Sequence, residues 1–209
     1  MKAFIEEIIG NPLSAEDWTL LSGIIKKKEV KKGDLLIQEG QVCKYIWYLE
    51  ARAVRYYENV KGDYKTTHFF LSPSMFSVYH SLITGHPVEI NIEASEDLQL
   101  LALPYHDLKE LYNKSHMLER VGRIMAEHQF MAEFDRRRML LHMDALERYE
   151  YLEKNQPAVF QHYQLKDIAT YIGITPVSLS RLRKYRIERH NGFSSALIKG
   201  IVASYEAID

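Results

Sequence analysis

The sequence is poor in the residues that build metal, redox and membrane chemistry. Cys43 is its one cysteine. No internal disulfide can form, and an iron–sulfur cluster, which takes about four thiolates, cannot be held. None of the nine histidines stands two residues from another, and no C-x-x-C occurs, so the usual ligand spacings of a metal site are missing. No metal and no cofactor are expected. Glycine-rich phosphate loops of the Walker or dinucleotide type are absent. No run of about 18 apolar residues exists, so no membrane partner is expected. The start, MKAFIEEIIG, lacks a basic segment followed by a long apolar stretch, so secretion is not expected and the cytoplasm is the expected location. Nothing in residue order points to an enzyme, although triads are spatial and order alone does not reveal them.

What is present divides into three stretches. Residues 1–28 read as helical: Phe4, Ile8 and Ile9 form one stripe, and Ser14 followed by Asp17 starts a second unit carrying Trp18, Leu21, Ile24 and Ile25. From Val30 to about Leu103 the apolar period moves towards two. LLIQ, YIWYLE, AVRYYE, THFFL, EINIEA and LQLLAL are short, rich in β-branched and aromatic residues, and separated by turn formers. This spacing predicts a β-sandwich or roll. Pro104 then opens a long helical stretch. In it Met117, Val121, Ile124, His128 and Met131 recur at heptad-like spacing, with Leu118, Met125 and Ala132 as a second line. One seam would pack on the sheet and the other on a partner chain, giving a homodimer; the alternative is a helix that covers only its own domain. His128 reads as a packed or hydrogen-bonded residue, and His68, beside Phe69 and Phe70, as structural rather than a haem ligand.

The segment Gln164–Tyr185, QLKDIATYIGITPVSLSRLRKY, carries the most information. Leu165, Ile168, Ala169 and Ile172 make an apolar stripe on a helix of about two turns. Gly173 stands where the chain must reverse and tolerates positive φ. Thr175 suits the N-cap and Pro176 the first position of a second helix. There Leu179 and Leu182 turn one way, while Val177, Ser180, Arg181 and Lys184 turn the other. Residues 161–190 hold six cations against two anions, a net +4 in a chain of net −1. That asymmetry suits a phosphate-binding module on an acidic protein; a helical hairpin with a solvated basic face is the plainer alternative.

At ITPVSLSRLRKY the chain resembles the recognition helix of the Crp/Fnr superfamily of bacterial regulators. Asp144–Val159 resembles the linking helix ahead of it, and KKGDLLIQEG (Lys31–Gly40) and FFLSPSMFSVYHSLITGHP (Phe69–Pro87) extend the likeness upstream. The resemblance implies an α+β chain: an N-terminal double-stranded β-helix (jelly-roll) sensor domain of the cyclic-nucleotide-binding type with its leading helices (1–112), a long dimerisation helix and hinge (113–138), and a C-terminal helix-turn-helix domain (139–209). It implies a homodimeric, sequence-specific transcription regulator whose partners are double-stranded DNA, RNA polymerase and an unidentified small-molecule effector. By position, Arg181 reads a base edge with Val177 and Ser180 beside it, while Thr175 and Ser178 hold phosphates; Lys184 is added in the same role.

Three departures qualify the likeness. In the stretch where relatives wrap a cyclic nucleotide's phosphate, this chain has Ser77 and Val78, then Val88 and Glu89 where arginine and serine would fall, and no arginine lies between Arg55 and Arg120. A buried anion without a cation is costly, so cyclic AMP and cyclic GMP are not expected as ligands. Arg52 replaces a hairpin glycine, so the turn there should be rebuilt. Finally, Leu197, Ile201, Tyr205 and Ile208 read as an extra helix, unless Asn191-Gly192 turns a hairpin. A sensor with a vestigial helix-turn-helix, and a β-roll enzyme, are the rival readings.

Overall fold

The computed structural model describes residues 1–187; the expected C-terminal helix or wing lies outside them. Two helices lead, α1 (Lys2–Ile9) and α2 (Ala15–Gly23). The α1 stripe is rotated from the expected one: Ile5 and Ile9, four apart, are buried, while Phe4 and Ile8 are only partly covered. Ser14 caps α2, its hydroxyl accepting from the Asp17 N–H. The helical reading of 1–28 ran too far. Lys26–Val30 forms β1, exposed except for Val30, and this lysine-rich strand carries no period-two signal. It lies at a sheet edge, where lysines discourage pairing with another chain.

Seven more strands follow: β2 (Leu35–Ile37), β3 (Tyr45–Leu49), β4 (Ala53–Val60), β5 (Asp63–Leu71), β6 (Ser74–Phe76), β7 (Asn91–Ala94) and β8 (Leu98–Pro104), with α3 (Tyr79–Thr84) between β6 and β7. They form two antiparallel four-stranded sheets, β1-β8-β3-β6 and β2-β7-β4-β5. Between them lies a core of Trp47, Leu49, Val54, Tyr56, Phe76, Ile92 and Leu100. All six expected strands are present. The unforeseen ones are β1 and the three-residue β6. β5 also begins at Asp63, ahead of THFFL, because Lys61 and Gly62 both take positive φ (56° and 95°) and close a two-residue hairpin.

The turn before β4 is not rebuilt. Arg52 itself adopts φ 82°, a conformation costing about 1–2 kcal/mol for a residue with a Cβ. Its carbonyl accepts from the Ser72 N–H (3.1 Å), and its guanidinium donates to Glu96 Oε2 (2.8 Å).

Helix α4 (Tyr105–Tyr112) precedes the long α5 (His116–His142), capped by Ser115. Leu118 and Val121 are buried among Ile5, Ile9, Leu21, Leu103 and Leu108, with Met117, Ile124 and Met125 packed alongside. The second half of α5 differs. Phe130, Met131, Phe134 and Leu141 are exposed by 67, 54, 46 and 65%. His128 and Ala132 are exposed too, so within one chain His128 is not the packed residue expected: it falls where the seam has left the N-terminal helices. Then come α6 (Ala145–Asn155), α7 (Val159–His162) and α8 (Leu165–Tyr171), and residues 176–187 are helical (α9). Asp144 and Glu147 close a capping box at the start of α6.

Candidate nucleic-acid interface and the roll interior

Helices α8 and α9 meet at Gly173, whose φ is 75°. Ile168, Ala169 and Ile172 are fully buried against Leu152, Val159 and Leu179. Leu165, the expected fourth member of the stripe, is 43% exposed, and Tyr171 is buried instead; at the first turn of the helix Leu165 lies beyond the neighbours that cover the rest. Thr175 Oγ1 accepts from the Ser178 N–H (3.1 Å) and lies 2.9 Å from Ser178 Oγ, so the cap engages both residues to which phosphate contacts were assigned. Pro176 occupies the first helical position.

Burial divides α9 into two faces. Leu179 is buried and Leu182 half-buried, while Val177, Ser180, Arg181 and Lys184 are exposed. Arg183 is exposed as well. Arg186 is not part of the outward basic face that sequence counting suggests: it pairs with Glu153 (2.6 Å) and lies 5.5 Å from the centre of the Tyr149 ring. The pairing holds the Glu153 carboxyl below its ordinary range and pins α9 to α6. Arg189 and Glu188 lie outside the described residues. The outward cations of the helix pair are therefore Lys166, Arg181, Arg183 and Lys184.

The helix pair is seated on the roll. Arg55 of β4 reaches both Asp167 of α8 and Glu93 of β7, the latter at 2.7 Å. Burial nevertheless raises the Asp167 carboxyl above its usual value, outweighing the attraction of Arg55. The Tyr163 hydroxyl lies 2.7 Å from the Val54 carbonyl and 3.0 Å from that of Phe70. Thr170 Oγ1 accepts from the Thr66 N–H (3.1 Å), and His162 Nδ1 lies 2.9 Å from Glu96. The Phe69 ring packs on Tyr163 and Tyr171. None of these contacts was visible in sequence; nothing marks Arg55 and Asp167, 112 residues apart, as a pair.

The other expected site was the roll's phosphate-wrapping stretch. Ser77 Oγ donates to the Tyr45 carbonyl (2.8 Å). Val78 precedes α3 and its carbonyl accepts from Leu82. Val88 is buried in the core, its backbone paired with Gly40 and Gln41, and Glu89 is exposed. Ser81 accepts from the Cys43 N–H and donates to the His86 carbonyl, so the loop's polar groups are engaged with one another. The interior beside it is filled with rings: Tyr56, Phe70 and Phe76 stand 4.8–6.1 Å apart, and Trp47 stacks on Phe76 at 5.6 Å.

Residues 27–115 match the cyclic nucleotide-binding domain family. No curated protein matches the chain by sequence. Among solved structures, FixK2 from Bradyrhizobium japonicum is 19% identical, with a TM-score of 0.66 over 81% of this chain and 86% of that one. The c-di-GMP-responsive global regulator CLP from Xanthomonas campestris is 13% identical, with a TM-score of 0.66 over 85% and 93%. A CooA mutant from Carboxydothermus hydrogenoformans is 14% identical, with a TM-score of 0.65 over 88% and 84%. At these identities the likeness is one of fold: an eight-stranded roll followed by a long helix, as in structures of Crp/Fnr regulators. Among the described residues no cluster of three or more metal-binding side chains occurs, and no helix is long and apolar enough to cross a membrane.

Proposed function

We propose that the chain is a homodimeric, sequence-specific DNA-binding transcription regulator of the Crp/Fnr type, with α8 and α9 as its helix-turn-helix. One observation carries the reading. A capped helix seated on a buried apolar face turns Val177, Ser180, Arg181 and Lys184 to solvent. The planar guanidinium of Arg181 suits a bidentate contact to guanine, worth about 1–3 kcal/mol of discrimination. Val177 offers only apolar contact, for which a thymine methyl is the match. Thr175, Ser178 and Lys184 take phosphates. Dimerisation through the bare half of α5 places two recognition helices about one helical turn apart on a palindromic site, and RNA polymerase is the partner that such a bound dimer serves.

Cyclic AMP and cyclic GMP are not the effector. No arginine lies between Arg55 and Arg120 to meet the phosphate, Glu89 adds negative charge, and Tyr56, Phe70 and Phe76 pack together in the roll interior. The effector acts instead by moving α5 or by loosening the seat of the helix pair on the roll.

In-vitro selection of DNA sites from a random pool tests the reading and returns the half-site. Arg181→Ala should relax specificity at one position per half-site. Lys184→Ala should weaken binding to all sequences and flatten the salt dependence. A pool that yields no enriched palindrome would overturn the proposal.

A further inference from the structure

A cavity of about 60 Å³ lies where the β1-β8-β3-β6 sheet, with Phe76 and Ser77 at the end of β6, meets α4 and α5. Leu103, Leu108, Tyr112, Val121, Gly122 and Met125 line it, and no charged side chain does. In water-sized terms one molecule needs about 10–15 Å³, so the space takes a body of several heavy atoms. Unpaired ions are excluded by the cost of burial. The flexible thioethers of Met75 and Met125 let such a cavity adapt to its occupant.

Two features give it a built character. The Tyr112 side chain forms part of the cavity wall, and burial raises the phenol well above its ordinary range. It therefore stays neutral and can donate to a molecule bound there. It also rests against the one glycine of α5: a Cβ on Gly122 would overlap the hydroxyl. Glycine inside a helix costs about 1 kcal/mol relative to alanine, and here it is what admits the phenol to the helix surface.

We propose that this cavity binds a small, uncharged, mainly apolar molecule bearing one hydrogen-bond acceptor for Tyr112, and that this molecule is the regulator's effector. The effector role rests on the regulator reading above; the binding site does not. An occupant lying beside Tyr112 and along Val121 and Met125 bears on α5, the helix that joins the roll to the helix pair.

The test uses the full chain with ¹³C-labelled methionine methyls and three probes: xenon, 2-butanone and butyrate. Xenon and 2-butanone should shift the Met75 and Met125 resonances saturably, and butyrate should not. Ala126→Leu, which fills the cavity, should abolish both responses. Tyr112→Phe should weaken 2-butanone about fivefold while leaving xenon unchanged, so the proposal stays testable even if the filled variant does not fold. Absent shifts, or an unchanged 2-butanone affinity in Tyr112→Phe, would overturn the site. Saturable binding that leaves affinity for a selected DNA site unaltered would overturn the effector role alone. A failed DNA selection would not touch the methyl titration.

Discussion

The roll is covered on both outer faces, and the two seams are built differently. On the β1-β8-β3-β6 sheet, α1, α2, α4 and α5 bury Ile5, Leu21, Leu103, Leu108 and Leu118, a nearly continuous aliphatic contact. On the β2-β7-β4-β5 sheet, α7 and α8 are held by Arg55 with Asp167, by the Tyr163 hydroxyl, by Thr170 and by His162 with Glu96. Aliphatic burial stabilises in proportion to the area removed from water, and that stabilisation is lost as the area is re-exposed. Paired polar groups exchange their partners for water at a net cost of about 1 kcal/mol each. The first seam is aliphatic, whereas the second adds these polar contacts to the packing of Phe69 and Leu71 on Tyr163, Ile168 and Tyr171, so its polar pairs are what distinguish it.

The largest expected effect is on the aliphatic side. Leu118→Ala should lower global stability by about 2–5 kcal/mol, read as a shifted midpoint in denaturant unfolding. A loss below about 1 kcal/mol would remove the distinction between the seams. Next comes Arg55→Ala, which leaves Glu93 and Asp167 facing each other without a cation. It should cost about 1–3 kcal/mol locally, seen as faster amide exchange in 163–172 with the roll strands unchanged. Equal acceleration in both regions would mean that the helix pair and the roll unfold as one.

Acidification sharpens the same contrast. His162, foremost, and Arg52 hold the Glu96 carboxyl below its ordinary 4.5. The contribution of Glu96 is fully present above that unfolded value and is lost as pH falls through the folded one. Glu133, held low by its contact with His68, acts in the same sense. Asp167 acts in the opposite sense: its folded value is raised, so its burial penalty is relieved on acidification. Exchange at the polar seam should therefore respond more steeply to acid in Asp167→Asn, and less steeply in Glu96→Gln, than in the natural chain. Identical profiles would show that these carboxylates do not govern the seam.

The smallest effect belongs to Arg52. Arg52→Gly relieves the positive φ but loses the contact to Glu96 and gains freedom in the unfolded chain, so stability should rise by at most about 1 kcal/mol. A loss would show that the guanidinium matters more than the backbone conformation.

Which of these features the sequence discloses follows from range. Period-two runs such as AVRYYE and the capped turn around Gly173 and Thr175 depend on neighbours within a few residues, and both are found where the pattern puts them. At Arg52 the pattern points to glycine, but that is a preference and not a requirement: contacts to Ser72 and Glu96 hold the arginine in place. β1 carries no strand pattern of its own; pairing with β8 makes it a strand. Arg55 with Asp167, and Tyr112 with Gly122, join positions far apart or on different helices, and only the assembled fold brings them together.

Cys43 gives the molecule a practical asset. Cys43 is 3% exposed, its sulfur sits beside Ser77 and the Tyr45 carbonyl, and the chain holds no other thiol. Surface cysteines introduced in pairs, one on β5 and one on α9, would thus be the accessible sites for maleimide dyes. Energy transfer between the dyes could then follow the distance from roll to helix pair in the otherwise unaltered protein.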